Sequence, residues 1–245
     1  MQQRTFSATF TSANLSDTTV TAQFHLFGAP HLLLLASIPL IAAFLARWSR
    51  ANDCRAHLVR IGLGTGILVN ELIWYGYYVY QGWFVFPYDL PLHLCDVVLW
   101  LTIFTSFTLK PWSYELIYYW GLAGTTMAVL TPDVSTPFLS YLTIRFFIAH
   151  GGIVTTILFL TWRKLRRPRK GSHWRAFFIL HLYAAAIGLF NFVFKTNYFF
   201  LCEKPGEPSL LDSMGPWPVY LIVADAVGLG LFWLLSLPFR RSSSL

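Results

Sequence analysis

An all-α, polytopic membrane protein with seven transmembrane helices is the fold class that three features of this 245-residue sequence predict. Apolar residues make up 56% of the chain and charged residues only 12%, where a soluble domain carries about 25% charge. The mean hydropathy is +0.53. The apolar residues also gather into runs close to the roughly 20 residues that cross about 30 Å of hydrocarbon.

Seven runs are read in order: 27–46, 57–80, 92–109, 113–130, 138–162, 174–194 and 217–238. Pro39 lies inside the first and predicts a kink. The second contains Gly62-Leu63-Gly64-Thr65-Gly66, which in an apolar helix with no preceding strand predicts close helix packing through Gly62 and Gly66, not a nucleotide loop. Pro91 and Pro111 stand just before the third and fourth runs, where a missing N–H costs nothing. Lys110-Pro111 leaves those two runs a very short connection. The last run has no lysine for a retinal Schiff base. Residues 1–24 form a polar tail without the apolar core of a signal peptide, 25–240 a single membrane domain, and 241–245 a short tail.

Basic residues set the expected orientation. With seven spans, fourteen Lys and Arg residues fall on one face, among them Arg47, Arg50, Arg163, Arg166 and Arg169, while Arg4, Lys195 and Lys204 fall on the other. The positive-inside rule then puts the N-terminus outside and the C-terminus in the cytoplasm. The net charge of +7 is read as loops facing an anionic leaflet, with no nucleic-acid partner.

Ionisable groups at membrane depth are costly and mark functional sites. The segment Pro91-Leu92-His93-Leu94-Cys95-Asp96 puts three reactive side chains at the head of the third run. Counting about 1.5 Å per helical residue, Glu71, Arg145, His150, Asn191, Lys195 and Asp225 reach the same outer layer from four other runs. This predicts an outward-opening polar cavity among helices. The competing reading has Glu71 or Asp225 paired with Arg145 or Lys195 to fix helix register. His181, near the inner end of its run, is read as interfacial.

His93 and Asp96, three residues apart, share a helix face and predict a carboxylate–imidazole pair. Cys95 points elsewhere and needs its base from another helix, for which His150 is best placed by depth. Cys plus His is the minimal apparatus of acyl transfer. Other readings of Cys95 stay open: a disulfide with Cys202, a metal site using His93, His150 and either Cys95 or Asp96, or an inert small residue. Cys54 lies in a basic loop and is at most a lipidation site.

Four segments, Pro91 to Asp96, Tyr118 to Asp133, Asn197 to Cys202 and Ser209 to Pro218, resemble the YwaF-like bacterial integral membrane proteins. That resemblance runs from about residue 25 to 240. The bacterial family is related to the eukaryotic transmembrane protein 164 family, whose characterised branch is a cysteine-dependent acyltransferase acting on lyso-ether phospholipids. More distantly the pattern is similar to androgen-induced membrane hydrolases. The resemblance implies that Cys95 stands at the nucleophile position and His150 at that of the downstream histidine. Partners would be membrane lipids, including an acyl-bearing lipid substrate, and no cofactor is implied. Twenty-two Phe, twelve Tyr and ten Trp residues suit an acyl-lined cavity as well as an interfacial aromatic belt. The expected activity is acyltransferase or lipid esterase, with His93, Asp96, Arg145 and Lys195 supporting the reaction or binding a headgroup. The alternative is a small transporter or ligand-binding membrane protein whose charges line a pathway.

Overall fold

The computed structural model describes residues 24–132, 136–206 and 209–240. Every regular element among them is helical: α1 (Ala29–Trp48), α2 (Asp53–Tyr80), α3 (Leu94–Thr108), α4 (Pro111–Leu116), α5 (Thr126–Leu130), α6 (Tyr141–Trp162), α7 (Ser172–Phe194) and α8 (Val219–Arg240), with two short 3₁₀ turns after α7. Residues 1–23 of the polar tail, Arg4 among them, Asp133 and residues 241–245 lie outside the described residues.

Five helices, α1, α2, α6, α7 and α8, are long and apolar enough to cross a membrane. The other two expected spans are less regular. α3 has fifteen residues, about 22 Å at 1.5 Å per residue. The run from 111 to 130 is helical throughout but changes pitch: α4 passes into a nine-residue π-helix, Ile117–Thr125, and then into α5.

Local chemistry sets the helix starts. Asn52 Oδ1 accepts the amides of Cys54 and Arg55, so α2 begins four residues before the apolar run does. Ser140 caps α6 by accepting the Thr143 amide. Pro111 opens α4 after Leu109 turns left-handed, which fits two antiparallel helices on a two-residue connection.

The α4–π–α5 run forms the centre, with Tyr114, Ile117 and Tyr119 essentially sealed. α6, the most buried long helix, packs against α1, α2, α3 and the π-helix. Three consecutive aromatics carry the π-helix to the last two helices: Tyr118 Oη donates to Leu235 O at 3.1 Å, Tyr119 Oη pairs with Ser172 Oγ at 3.1 Å, and Trp120 Nε1 donates to Ala176 O at 3.1 Å. Large apolar side chains such as Leu33, Leu40, Phe192 and Ile222 face outward, as a lipid-facing surface requires.

Many basic residues act as structural ties at their end of the bundle. Arg163 joins the end of α6 to Ser49 O at 3.1 Å and to Asp53 at 2.7 Å. Arg166 donates to Leu109 O at 2.6 Å, and Arg60 to Ser106 O. Buried Glu115 receives Arg169 Nε at 2.7 Å and Arg175 at 3.3 Å.

The glycines of α2 correct one expectation. Gly62 and Gly66 face open space, and Gly64 between them makes the close approach. A Cβ there would lie 2.5 Å from Ser106 Cβ on α3. Gly64→Ala is therefore expected to destabilise the protein by about 1–3 kcal/mol through overpacking. Gly62→Ala and Gly66→Ala should be neutral or stabilising by up to about 1 kcal/mol, the helix-propensity difference. Thermal denaturation of the three variants in detergent separates these cases.

Candidate functional site

The end of the bundle away from the basic ties holds most of the polar residues singled out from sequence. His93 caps α3 in an extended conformation, φ −68° and ψ 153°. Its backbone N–H donates to Asp96 Oδ2 at 3.1 Å. The expected carboxylate–imidazole pair does not form: an acid three residues inside a helix reaches back to the capping amide instead. The ring of His93 is held by another segment. Its Nδ1 accepts the Phe199 N–H at 3.4 Å, and Tyr198 and Phe200 flank it at centroid distances of 5.1 and 5.3 Å.

Phe199 and Phe200 both have positive φ, 60° and 51°, a strained state for bulky residues that marks functional sites. Asn191 imposes this turn. It is buried, its Oδ1 accepts the Tyr198 N–H at 2.9 Å and the Thr196 hydroxyl at 2.8 Å, and its Nδ2 donates to Tyr198 O at 2.9 Å. Asn191 thus shapes the loop and lies behind the site. The Tyr198 hydroxyl donates to Pro87 O at 2.7 Å and accepts the Leu90 N–H at 2.8 Å. Burial pushes that hydroxyl up to about 12, so it stays a neutral strut for the segment leading into α3.

Cys95 is the second residue of α3, half-buried and free. The amides at a helix start lack intrahelical acceptors and point toward such a position. Cys202 and Cys54 are exposed and also free, so the structure contains no Cys95–Cys202 bond. No cluster of three or more metal-ligating side chains occurs among the described residues.

His150, in the middle of α6, stacks on Phe146 at 4.1 Å, and its Nδ1 lies 3.1 Å from Phe146 O. A carbonyl oxygen only accepts, so Nδ1 carries a proton, and in the neutral ring Nε2 keeps its lone pair. His93 is the reverse, because an amide that donates to Nδ1 leaves the proton on Nε2. As neutral rings the two imidazoles are set in opposite tautomers, one basic and one donating at Nε2. No hydrogen bond joins Cys95 to His150 among the described residues.

The charged residues divide between the two readings open from sequence. Arg145 Nη2 contacts both oxygens of buried Glu71, at 3.2 and 3.1 Å, and its guanidinium lies 4.3 Å over the Trp74 ring. Arg145 Nε is buried without a partner among the described residues. Asp96, Glu71, Arg145 and Tyr75 are close enough to interact electrostatically. Asp225 does not reach Arg145 or Lys195; it pairs with His181 at 3.2 Å between α7 and α8. His181 is therefore part of a helix–helix contact well inside the bilayer-length helices, which corrects its interfacial reading. Lys195 sits exposed at the end of α7 with its ammonium 4.7 Å over Phe192.

Sequence reasoning missed Thr125 and Thr126, whose buried hydroxyls have no hydrogen-bond partner among the described residues. No sequence pattern announces the π-helix that leaves them so.

Comparison with known proteins places this arrangement. A protein of Treponema pallidum (strain Nichols) described as uncharacterized is 26% identical over 239 residues, covering 94% of each chain. No solved structure matches. Residues 26–236, nearly all of the helical part, match the TMEM164 family. With the match spanning both the α3 start and the loop that grips His93, the chain belongs to the TMEM164 family of membrane proteins.

Proposed function

We propose that the protein is a membrane-embedded acyl-transfer enzyme, an acyltransferase or lipid esterase, that works on a lipid ester through Cys95 and His150. The single observation that supports this reading is the His150 ring: with Nδ1–H held on Phe146 O, the neutral ring keeps Nε2 as an available base. The opposite tautomer of His93 supplies a complementary donor. Family membership and the resemblance to the cysteine-dependent branch point the same way.

In this mechanism His150 Nε2 takes the Cys95 thiol proton and the thiolate attacks the ester carbonyl carbon. The C=O pair moves onto oxygen, where His93 Nε2–H and the free amides of the α3 start stabilise the oxyanion. Collapse expels the alkoxide, which takes the proton from His150. The resulting thioester is then attacked by an acceptor hydroxyl or by water, deprotonated in turn by His150, and Cys95 regains its proton. Arg145, with donors beyond its Glu71 contact, and Asp96 lie near enough to address a polar headgroup. Lys195, on the exposed end of α7, meets such a group only at the surface.

The same reading takes seven crossings, with α3 and the 111–130 run as the third and fourth, an external N-terminus and a cytoplasmic C-terminus. The irregular pitch of the 111–130 run is tolerable because protein covers Ile117, Tyr118, Tyr119 and Trp120 within it.

Intact-mass analysis of purified protein after exposure to 4-nitrophenyl palmitate tests the chemistry. One acyl adduct, mapped to Cys95 and absent in Cys95→Ala, is expected. Substrate movement or binding that survives Cys95→Ala, with no adduct in the wild type, would favour a transporter or ligand-binding protein instead.

A further inference from the structure

Several serine and threonine hydroxyls inside these helices find a partner one turn back. Thr102, Thr105, Ser106, Thr156 and Thr161 donate to the carbonyls of Val98, Leu101, Thr102, Gly152 and Ile157 at 2.6–2.8 Å. Thr125 cannot. It closes the π-helix, in which each carbonyl is aimed five residues ahead. The carbonyl four residues behind it, Gly121 O, instead accepts the Thr126 N–H. The Thr125 hydroxyl is left without a partner among the described residues although the side chain is only 1% exposed. A buried hydroxyl in that state is destabilising until something accepts its hydrogen bond.

Its position follows from the packing of the same helix. A Cβ on Gly121 would meet Ile157 Cδ1 at 2.5 Å, Val98 Cγ1 at 3.4 Å and Ile153 Cγ2 at 3.5 Å, so this face looks into the junction of α3 and α6. Thr125 lies just under one wide turn further on the same face. One turn back along α3 from Val98 are Leu94 and Cys95, and one turn back along α6 from Ile153 are Ala149 and His150. Leu94 lies 3.8 Å from the corresponding point on Gly124, which confirms that register.

We propose that the Thr125 hydroxyl is a substrate-binding group: it donates a hydrogen bond to the acyl carbonyl oxygen of the lipid ester held at the level of Cys95 and His150. This rests on the acyl-transfer reading and adds to it a residue on a third structural element. The π-helix is the device that keeps the hydroxyl from being consumed by its own backbone. The carbonyl of the bound ester then completes its hydrogen bonding, and the same bond strengthens as negative charge develops on that oxygen.

The test compares wild type, Thr125→Val and Thr125→Ser, full-length in nanodiscs of phosphatidylethanolamine and phosphatidylglycerol. Two readouts are taken: the rate of Cys95 acylation by 4-nitrophenyl palmitate, and the melting temperature with and without 1-palmitoyl-lysophosphatidylcholine. The expected result is acylation slowed roughly tenfold or more in Thr125→Val, a melting temperature equal to or above wild type, and substantial recovery in Thr125→Ser. Acylation undiminished in Thr125→Val overturns the role of Thr125 and leaves acyl transfer standing. Slower acylation with a lowered melting temperature, unrelieved in Thr125→Ser, also overturns it, as a packing effect. If the wild type never acquires an acyl group on Cys95, the acyl-transfer reading fails and the lipid-induced melting shift decides. A shift lost in Thr125→Val keeps Thr125 as a lipid-carbonyl site, and a shift retained removes it.

Discussion

Arg145→Ala is expected to be the most destabilising substitution at the far end of the bundle, lowering unfolding free energy by about 3–5 kcal/mol. The size comes from what is left behind. Glu71 is only 4% exposed, and both its oxygens depend on Arg145 Nη2. Removing the guanidinium strands a carboxylate between α2 and α6 and also takes away the cation stacked over Trp74. The same charge in water would simply be hydrated, so the cost is a property of depth. Denaturation in detergent, read by tryptophan fluorescence, gives the value. Glu71→Gln in the Arg145→Ala background should recover more than half of the loss, since it removes the stranded charge. If Arg145→Ala alone melts like wild type, the pair is not a structural tie.

The second large effect concerns the two imidazoles. His150→Gln should slow Cys95 acylation by about 10²–10⁴-fold, the usual contribution of a positioned general base, because an amide at that place offers no basic nitrogen. His93→Gln keeps an N–H donor and is expected to retain far more activity than His93→Ala. Swapped outcomes, with His93→Gln inactive and His150→Gln active, would mean the roles are reversed. Single-turnover acylation measured by mass spectrometry resolves this, and added imidazole should restore part of the His150→Ala rate and none of the Cys95→Ala rate.

Much of the helical frame is legible in the sequence because apolar length is a direct physical requirement of hydrocarbon. The 2-residue link between α3 and α4 was equally readable from Lys110-Pro111. Depth counting also brought Glu71 and Arg145 to one level, and they pair. It failed for His181 and Asp225, because counting assumes that every helix starts in one plane and says nothing about which neighbours face each other. Pairing His93 with Asp96 failed for a local reason: the periodicity of a helix does not apply to its capping residue, whose amide competes for the same carboxylate. Gly64, not its neighbours, packs on Ser106 because the identity of a contact face depends on where α3 lies, which no pattern within α2 records. Thr125 was illegible for the deepest reason. The composition of Ile117–Thr125 is that of an ordinary apolar helix, and only its altered pitch changes what the hydroxyl can reach.

The attachment of α7 carries a separate consequence. It is the least buried of the long helices, and separate hydrogen bonds fix it at intervals: Ser172 to Tyr119, Ala176 O to Trp120, Tyr183 Oη to Leu92 O at 2.5 Å, and the Asn191 turn. Between those points it meets α8 through Phe177 and His181, while Phe178, Leu182 and Leu189 face outward, where a bilayer would supply acyl tails. Lipid is then a packing component of this side of the molecule. The tilt of α7, and through the Asn191 turn the grip on His93, should answer to the thickness of the bilayer around it.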